Sequence, residues 1–185
     1  MKLYDGGKAP NPRRIRVFLA EKGIRVDLVP VDIGGLEHKG ERYTAINPLQ
    51  RVPSLVLDDG TVLTESMAIC RYFEGIQPEP NLFGKPGLEA ATVEMDLLFS
   101  VAQVFRHLHP AMKALQVPQV AEWGEANKPQ VANFLKLLDG ELGKHNFIAG
   151  DRYTVADITA LVAIDLMKPA KLTVPDELAN VKRWY

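Results

Sequence analysis

A chain of 185 residues has room for one ordinary domain or two small ones. Its 46% apolar and 24% charged residues are the makeup of a soluble globular protein, and a net charge of −1 supplies no bulk attraction for nucleic acid or an anionic membrane surface. A single cysteine, Cys70, excludes an internal disulfide framework and fits the reducing cytoplasm; no apolar run approaches the ~20 residues of a membrane span, and the opening residues lack a signal-peptide core.

In chain order, Lys2-Leu3-Tyr4 begins a strand. Residues 13–22 form a helix, with Gly23 as its natural stop. Ile24/Val26/Leu28 and Val29/Val31/Ile33 alternate out of phase across Pro30, which predicts an edge strand with a bulge. Residues 38–46 fit a short, irregular helix. Val52 to Leu57 and Val62 to Thr64 then flank Asp59-Gly60, a hairpin signal because Gly accepts positive φ. Thr64 reads as the N-cap of the next helix, with Glu65 and Ser66 in its first turn and Ile69, Tyr72, Phe73 and Ile76 along one face. The resulting β-α-β-α-β-β-α order predicts a mixed sheet covered by helices.

The start of that helix carries chemistry. A helix N-terminus offers N–H groups to an anion. Ser66 adds a hydroxyl and Glu65 a carboxylate for a cation, so a ligand bearing carboxylate and ammonium on one carbon fits both. A cis Val52-Pro53 bond would present the Val52 main chain to the backbone of a peptide, as a free strand edge does. The plainer reading of Glu65 is a charge that complements the helix dipole.

Gln77-Pro78-Glu79-Pro80-Asn81 is the clearest boundary, and the patterns beyond it are helical. Over residues 88–109, Ala90, Val93, Leu97, Val101, Val104 and Leu108 make one apolar stripe, and Met95, Leu98, Ala102 and Phe105 a second. Two apolar faces place this helix centrally in a bundle or at a subunit interface. In residues 119–142 the buried face is Val131, Phe134, Leu135, Leu138 and Leu142, with Pro129 expected to kink or interrupt it. Thr154-Val155-Ala156-Asp157 fits a capping box, with Tyr153 and Ile158 spaced as a hydrophobic staple. A last helix starts near Pro175. His107 and His109 precede a helix end at Pro110, and with His38 and His145 they give no metal-ligand spacing.

Four segments in order resemble the cytosolic glutathione transferase family: the first helix from Pro10-Asn11-Pro12-Arg13-Arg14; Asn47-Pro48 leading to Val52-Pro53-Ser54-Leu55; Glu65-Ser66; and Gly150-Asp151-Arg152-Tyr153-Thr154-Val155-Ala156-Asp157. The resemblance implies an α/β plus all-α fold. A thioredoxin-like domain with a mixed four-stranded sheet would occupy residues 1–77, a linker 78–87, and a helical bundle 88–185. It also implies a cytoplasmic homodimer joined through the helix from Met95 to Phe105, with glutathione as co-substrate, a hydrophobic electrophile as second substrate, and no metal, nucleic acid or membrane partner.

By the same resemblance, Glu65 meets the γ-glutamyl ammonium, Ser66 the adjoining carboxylate, and Val52, with Pro53 cis, the cysteinyl backbone. Gln50 and His38 sit where some classes hold the glycyl carboxylate, with Lys39 alongside, and Met67 replaces an Arg found in some relatives. Phe105 and Met112 are candidates for the electrophile pocket, with core packing as their plainer reading. Relatives that activate the thiol with Ser carry it where this chain has Ala9. Asn11 is the replacement, its amide donating to a thiolate at the start of the first helix; the competing reading is an N-cap followed by Pro. Arg13, Tyr4 and Tyr43 are weaker candidates, and Cys70 reads as a buried structural thiol. The alternatives are a non-catalytic module that keeps the pocket, and a glutathione-dependent lyase, isomerase or dehalogenase.

Overall fold

The computed structural model describes residues 1–101, 106–115 and 117–185. It divides into two compact units, Met1–Pro80 and Asn81–Tyr185.

The first unit is built on a four-stranded sheet. Its strands are β1 (Lys2–Asp5), β2 (Asp27–Pro30), β3 (Ser54–Val56) and β4 (Val62–Thr64), in the order β2-β1-β3-β4. β2 runs parallel to β1, while β1/β3 and β3/β4 are antiparallel, the mixed sheet of a thioredoxin-like fold. β2 is the edge strand that Pro30 predicts, but its register from Lys2↔Asp27 to Asp5↔Pro30 contains no bulge. Pro30 ends the strand, and the next amide continues the ladder, Val31 N donating to the Asp5 carbonyl at 2.8 Å.

Helix α1 (Pro10–Glu21) begins three residues before the predicted start, and α3 (Ser66–Ile76) packs against it. Leu3, Ile15, Phe18, Leu55, Ile69 and Phe73 form the fully buried centre. On α3 the buried face is Ser66, Ile69, Cys70 and Phe73; Ile76, expected to join it, is exposed. The segment expected as an irregular helix is one turn of 3₁₀ helix at Glu37–Lys39 and one of α-helix, α2 (Glu41–Thr44). A buried cation closes the far end of α3. The Lys22 ammonium pairs with Glu74 at 2.7 Å and donates to the carbonyls of Gln77 and Pro80, each at 2.7 Å, supplying donors that a helix C-terminus lacks.

The second unit contains α4 (Leu88–Phe99), α5 (Arg106–Ala114), α6 (Ala121–Leu142), α7 (Val155–Asp165) and α8 (Ala179–Trp184). α6 buries the five predicted apolar residues and runs unbroken through Pro129. Packing of that long face outweighs the one hydrogen bond a helical proline forfeits. α5 likewise continues through Pro110, and His107 Nδ1 bonds Asn127 Oδ1 at 2.6 Å. The central helix is α7, buried from Val155 to Ile164 except at the half-buried Leu161 and mostly apolar, as a core helix must be. On α4 the first stripe is buried at Val93 and Leu97, whereas Met95 (61% exposed) and Leu98 (56%) face outward. Ala102, Val104 and Phe105 lie outside the described residues, as does the Met112 side chain.

The capping box forms as predicted, and Asp157 does more than cap. Fully buried, it accepts from Thr154 N (2.9 Å), Thr154 Oγ1 (3.1 Å), Ile148 N (3.0 Å) and Trp184 Nε1 (2.8 Å). One carboxylate thus joins the start of α7, the preceding loop and α8. Helix α8 starts at Ala179, later than Pro175 suggests, because Asp139 on α6 accepts from Asn180 N (2.9 Å) and Val181 N (3.0 Å) and so fixes its first turn. Among the described residues no helix is long and apolar enough to cross a membrane.

Candidate active site

The hairpin turns as its sequence requires. Gly60 takes φ 86°, its amide donates to Leu57 O at 3.1 Å, and Thr61 N donates to Asp59 Oδ1 at 2.8 Å. Thr64, expected to cap α3, instead pairs with Ser54 in the β3/β4 ladder. Sheet pairing holds it extended, and Glu65 takes the cap position with φ 66° and no capping side-chain bond. A side-chain-bearing residue in that region is strained, and such strain concentrates at functional sites. Its effect here is to leave the amides of Ser66, Met67 and Ala68 without helical partners at the mouth of α3. The Glu65 carboxylate is exposed beside them.

The loop before β3 is fixed by side chains. Asn47 is buried; its Oδ1 accepts from Leu49 N at 3.0 Å, and its Nδ2 donates to Arg51 O at 2.7 Å. The Tyr43 hydroxyl donates to the same carbonyl at 2.6 Å, and burial pushes its pKa up. The Val52-Pro53 peptide is cis. A Cβ at Gly6 would lie 2.6 Å from Val52 Cγ2, so that glycine lets Val52 sit where it does.

At the start of α1, Ala9 is the N-cap residue, with Pro10, Asn11 and Pro12 as the first three helical residues. Asn11 is therefore inside the helix and does not cap it. The two prolines lack N–H groups and Arg13 N already donates to Ala9 O at 3.2 Å, so Asn11 N–H is the one first-turn donor left. Arg14 links this end to α3. Only 3% exposed, it donates from Nη1 to Ser66 Oγ at 2.9 Å and to Asn11 Oδ1 at 3.2 Å. Burial lowers its pKa to about 10, with the nearby Cys70 acting in the opposite direction. Because Arg can only donate, the Asn11 atom facing it must be the carbonyl oxygen, which leaves Nδ2 as a donor. Ser66 Oγ, accepting from Arg14, likewise keeps its proton for another acceptor.

A cavity of about 190 Å³ is lined by Asn11, Val52, Pro53, Glu65 and Ser66, five of the residues singled out in the sequence. Asn47, Leu49, Arg51 and Thr64 complete its lining. The others lie apart from it. Gln50 has φ 54° and its Nε2 donates to Thr44 Oγ1 at 3.1 Å. His38 and Lys39 are on the 3₁₀ turn, where His38 Nδ1 is buried without a partner among the described residues. Cys70 is fully buried, and burial pushes its thiol up to about 12, which makes it inert. Among the described residues no group of three or more His, Cys, Asp or Glu could hold a metal.

Sequence reasoning missed Arg14 and Arg51. The signal for Arg14 was its position, one residue before Ile15 and four before Phe18, a cation on the buried stripe of α1.

The fold is that of a thioredoxin-like protein with a helical second unit, and five of the candidate residues line one cavity of the first unit. Residues 9–76 match the family model of the glutathione S-transferase N-terminal domain, and residues 97–185 that of the C-terminal domain. Glutathione S-transferase 2 of Saccharomyces cerevisiae is 32% identical over 195 residues, covering all of this chain and 84% of the relative. Maleylacetoacetate isomerase of Pseudomonas aeruginosa is 32% identical over 168 residues, covering 85% and 77%. A glutathione S-transferase domain-containing protein of Marinobacter aquaeolei superposes with a TM-score of 0.92 at 34% identity, over 100% of this chain and 95% of that one. The chain belongs to the glutathione S-transferase family.

Proposed function

We propose that the first-unit cavity binds glutathione and activates its thiol for attack on an apolar electrophile. The observation that carries this is the convergence of a carboxylate, an open helix N-terminus, an unengaged strand-like main chain and a fixed amide donor on one small cavity. Glu65 takes the γ-glutamyl ammonium. The Ser66 amide and hydroxyl take the carboxylate, and the Val52 main chain pairs with the cysteinyl backbone. For the glycyl carboxylate, Gln50, His38 and Lys39 supply candidate groups, and Arg51, which lines the cavity, joins them.

The chemistry needs the thiolate. Asn11 Nδ2 donates to it and favours loss of the thiol proton to solvent. The sulfur then forms a bond to the electrophilic carbon as a leaving group departs or a double bond takes up the electron pair. The relatives named maleylacetoacetate isomerase favour one further outcome from the same thiolate. Sulfur adds to a conjugated cis double bond, the resulting single bond rotates, and sulfur leaves, so that glutathione is not consumed.

The protein acts in the cytoplasm as a homodimer that covers the Met95 and Leu98 stripe of α4, burying about 2,000 Å² or more; a monomer by sedimentation would refute the dimer. The direct test is calorimetric titration with reduced glutathione, wild type against Glu65→Ala, followed by turnover with electrophiles and cis-enone acids. Binding that Glu65→Ala abolishes, with turnover, supports the reading. A folded protein without glutathione binding refutes it.

A further inference from the structure

The first unit holds a further cavity, of about 560 Å³, between the turn that joins β1 to α1 and the segment that follows β2. That is within the range of small-molecule sites, about 300–1,000 Å³. Ala9, Pro30, Val31 and Ile33 give it apolar walls. It shares no lining residue with the proposed glutathione cavity, yet the two adjoin. Ala9 is the N-cap of α1, separated from Asn11 only by Pro10. A Cβ at Gly6 would lie 2.6 Å from Val52 Cγ2 and 3.1 Å from Ile33 Cγ1, so a wall of each cavity reaches the same point.

The charged groups of its lining are Asp5, Lys8 and Asp32. Both acids are engaged. Asp5 accepts from Arg16 and, at 3.3 Å, from Gly7 N, and Asp32 accepts from Gly35 N at 2.9 Å. Lys8 stands in a turn closed by Ala9 N donating to Gly6 O at 3.2 Å, with Gly7 at φ 59°. Arg16 Nη2 donates to Gly7 O at 2.7 Å and pins the backbone of that turn. The Lys8 side chain is exposed and makes no hydrogen bond or ion pair among the described residues. A fixed turn thus carries an uncommitted cation beside an apolar cavity.

We propose that Lys8 selects the second substrate as an apolar electrophile bearing a carboxylate, its body against Ala9, Pro30, Val31 and Ile33 and its carboxylate paired with the Lys8 ammonium. This assignment rests on glutathione occupying the neighbouring cavity with its sulfur at the start of α1. The attacking sulfur is anionic and repels an anionic substrate; a cation beside the substrate offsets that repulsion. An ammonium on a flexible stem also suits carboxylates held at different distances from the reacting carbon, where a rigid guanidinium fork favours one geometry. An exposed pair contributes little, so the selectivity is modest.

The test is calorimetric titration of the whole protein with glutathione and with two of its S-aryl conjugates, S-(4-carboxy-2-nitrophenyl)glutathione and the neutral carboxamide counterpart. These are the products when sulfur bonds to the ring carbon of 4-chloro-3-nitrobenzoate or its amide, chloride leaves with the bonding pair and the thiol proton goes to solvent. The expected result is about fivefold tighter binding of the carboxylate conjugate. The two conjugates bind alike in Lys8→Met, the preference is kept in Lys8→Arg and inverts in Lys8→Glu, and it shrinks between about 0.02 and 0.5 M salt. Equal binding by the wild type, or a preference unchanged in Lys8→Met and Lys8→Glu, with glutathione still bound, would overturn the role of Lys8 and leave the glutathione site standing. A wild-type protein that does not bind glutathione refutes the site and this assignment together. Should Lys8→Met fail to fold, the wild-type salt series decides: a flat preference overturns it.

Discussion

Arg14→Met separates what the buried cation does for the fold from what it does for the site. Burial lowers the Arg14 pKa to about 10, which corresponds to about 3 kcal/mol of disfavour for the charged form relative to water. Methionine keeps an unbranched apolar stem that ends near the position of Nε and removes that cost. Against it stand Ser66 Oγ and Asn11 Oδ1, each losing a donor at about 1–2 kcal/mol. The opposing terms nearly cancel, so the variant folds with stability within about 2 kcal/mol of wild type, a melting shift of roughly 8 °C or less for a chain of this size. Binding does not cancel. The Ser66 hydroxyl and the Asn11 amide are both held by this guanidinium, and losing one charge-assisted orientation of about 1.5–3 kcal/mol weakens glutathione by roughly ten- to a hundredfold. Thermal unfolding and calorimetric titration of one preparation give both numbers. Glutathione affinity within about threefold of wild type, or a melting temperature lower by more than about 10 °C, would refute this division of labour.

The remaining expectations concern packing and protons. Asp157→Ala strands four donors around a fully buried position and should cost about 3–5 kcal/mol, a fall of roughly 10 °C in melting temperature, with glutathione binding unchanged below the transition. Trp184 fluorescence reports the loss locally, and an unchanged melting temperature contradicts it. Gly6→Ala puts a methyl against Val52 and should weaken glutathione about tenfold, with Val52→Ala restoring it in the double variant; a double no better than the single counts against the contact. Asp96, raised to about 6, binds its proton more tightly folded than unfolded, so stability falls as pH rises from the ordinary carboxylate range to about 6 and is level above it. Asp96→Asn should remove that slope. Its half-exposure limits the gain at pH 7 to about 1 kcal/mol, and a slope unaltered in the variant places the titration elsewhere.

What the sequence made legible was local. The Asp59-Gly60 turn, the Thr154–Asp157 box and the buried face of α6 each depend on residues within a few positions of one another. The misreadings share a different cause. Thr64 has the side chain of a cap, but its pairing with Ser54 is decided ten residues away. Arg14 and Lys22 break the apolar pattern of α1, and their partners, Ser66 and Glu74, lie on another helix 52 residues onward. Asp157 was legible as a cap and illegible as the anchor of Trp184. Five of the candidate residues, two short runs at 52–53 and 65–66 plus Asn11, line one cavity. Arg51 went unnoticed beside Gln50, although only Arg51 of the two lines the cavity.

The two helix starts that line the cavity differ in their free donors, and under the proposed function they would take different anions. α3 leaves three amides and the Ser66 hydroxyl open, a broad donor set suited to a carboxylate. α1 has been stripped by Pro10 and Pro12 to one amide, that of Asn11, together with the Asn11 Nδ2 that Arg14 obliges to point its oxygen inward. Such a narrow pair suits a single sulfur. It follows that Asn11→Ala should remove one of two donors and leave turnover reduced by about ten- to a hundredfold, with glutathione affinity within about threefold of wild type. Asn11→Asp should be worse than Asn11→Ala, because an acceptor replaces the donor and its charge repels the thiolate. The pKa of bound glutathione, followed by thiolate absorbance, should rise in the order wild type, Asn11→Ala, Asn11→Asp. The opposite order, or a thiol pKa indifferent to position 11, would move thiol activation away from Asn11.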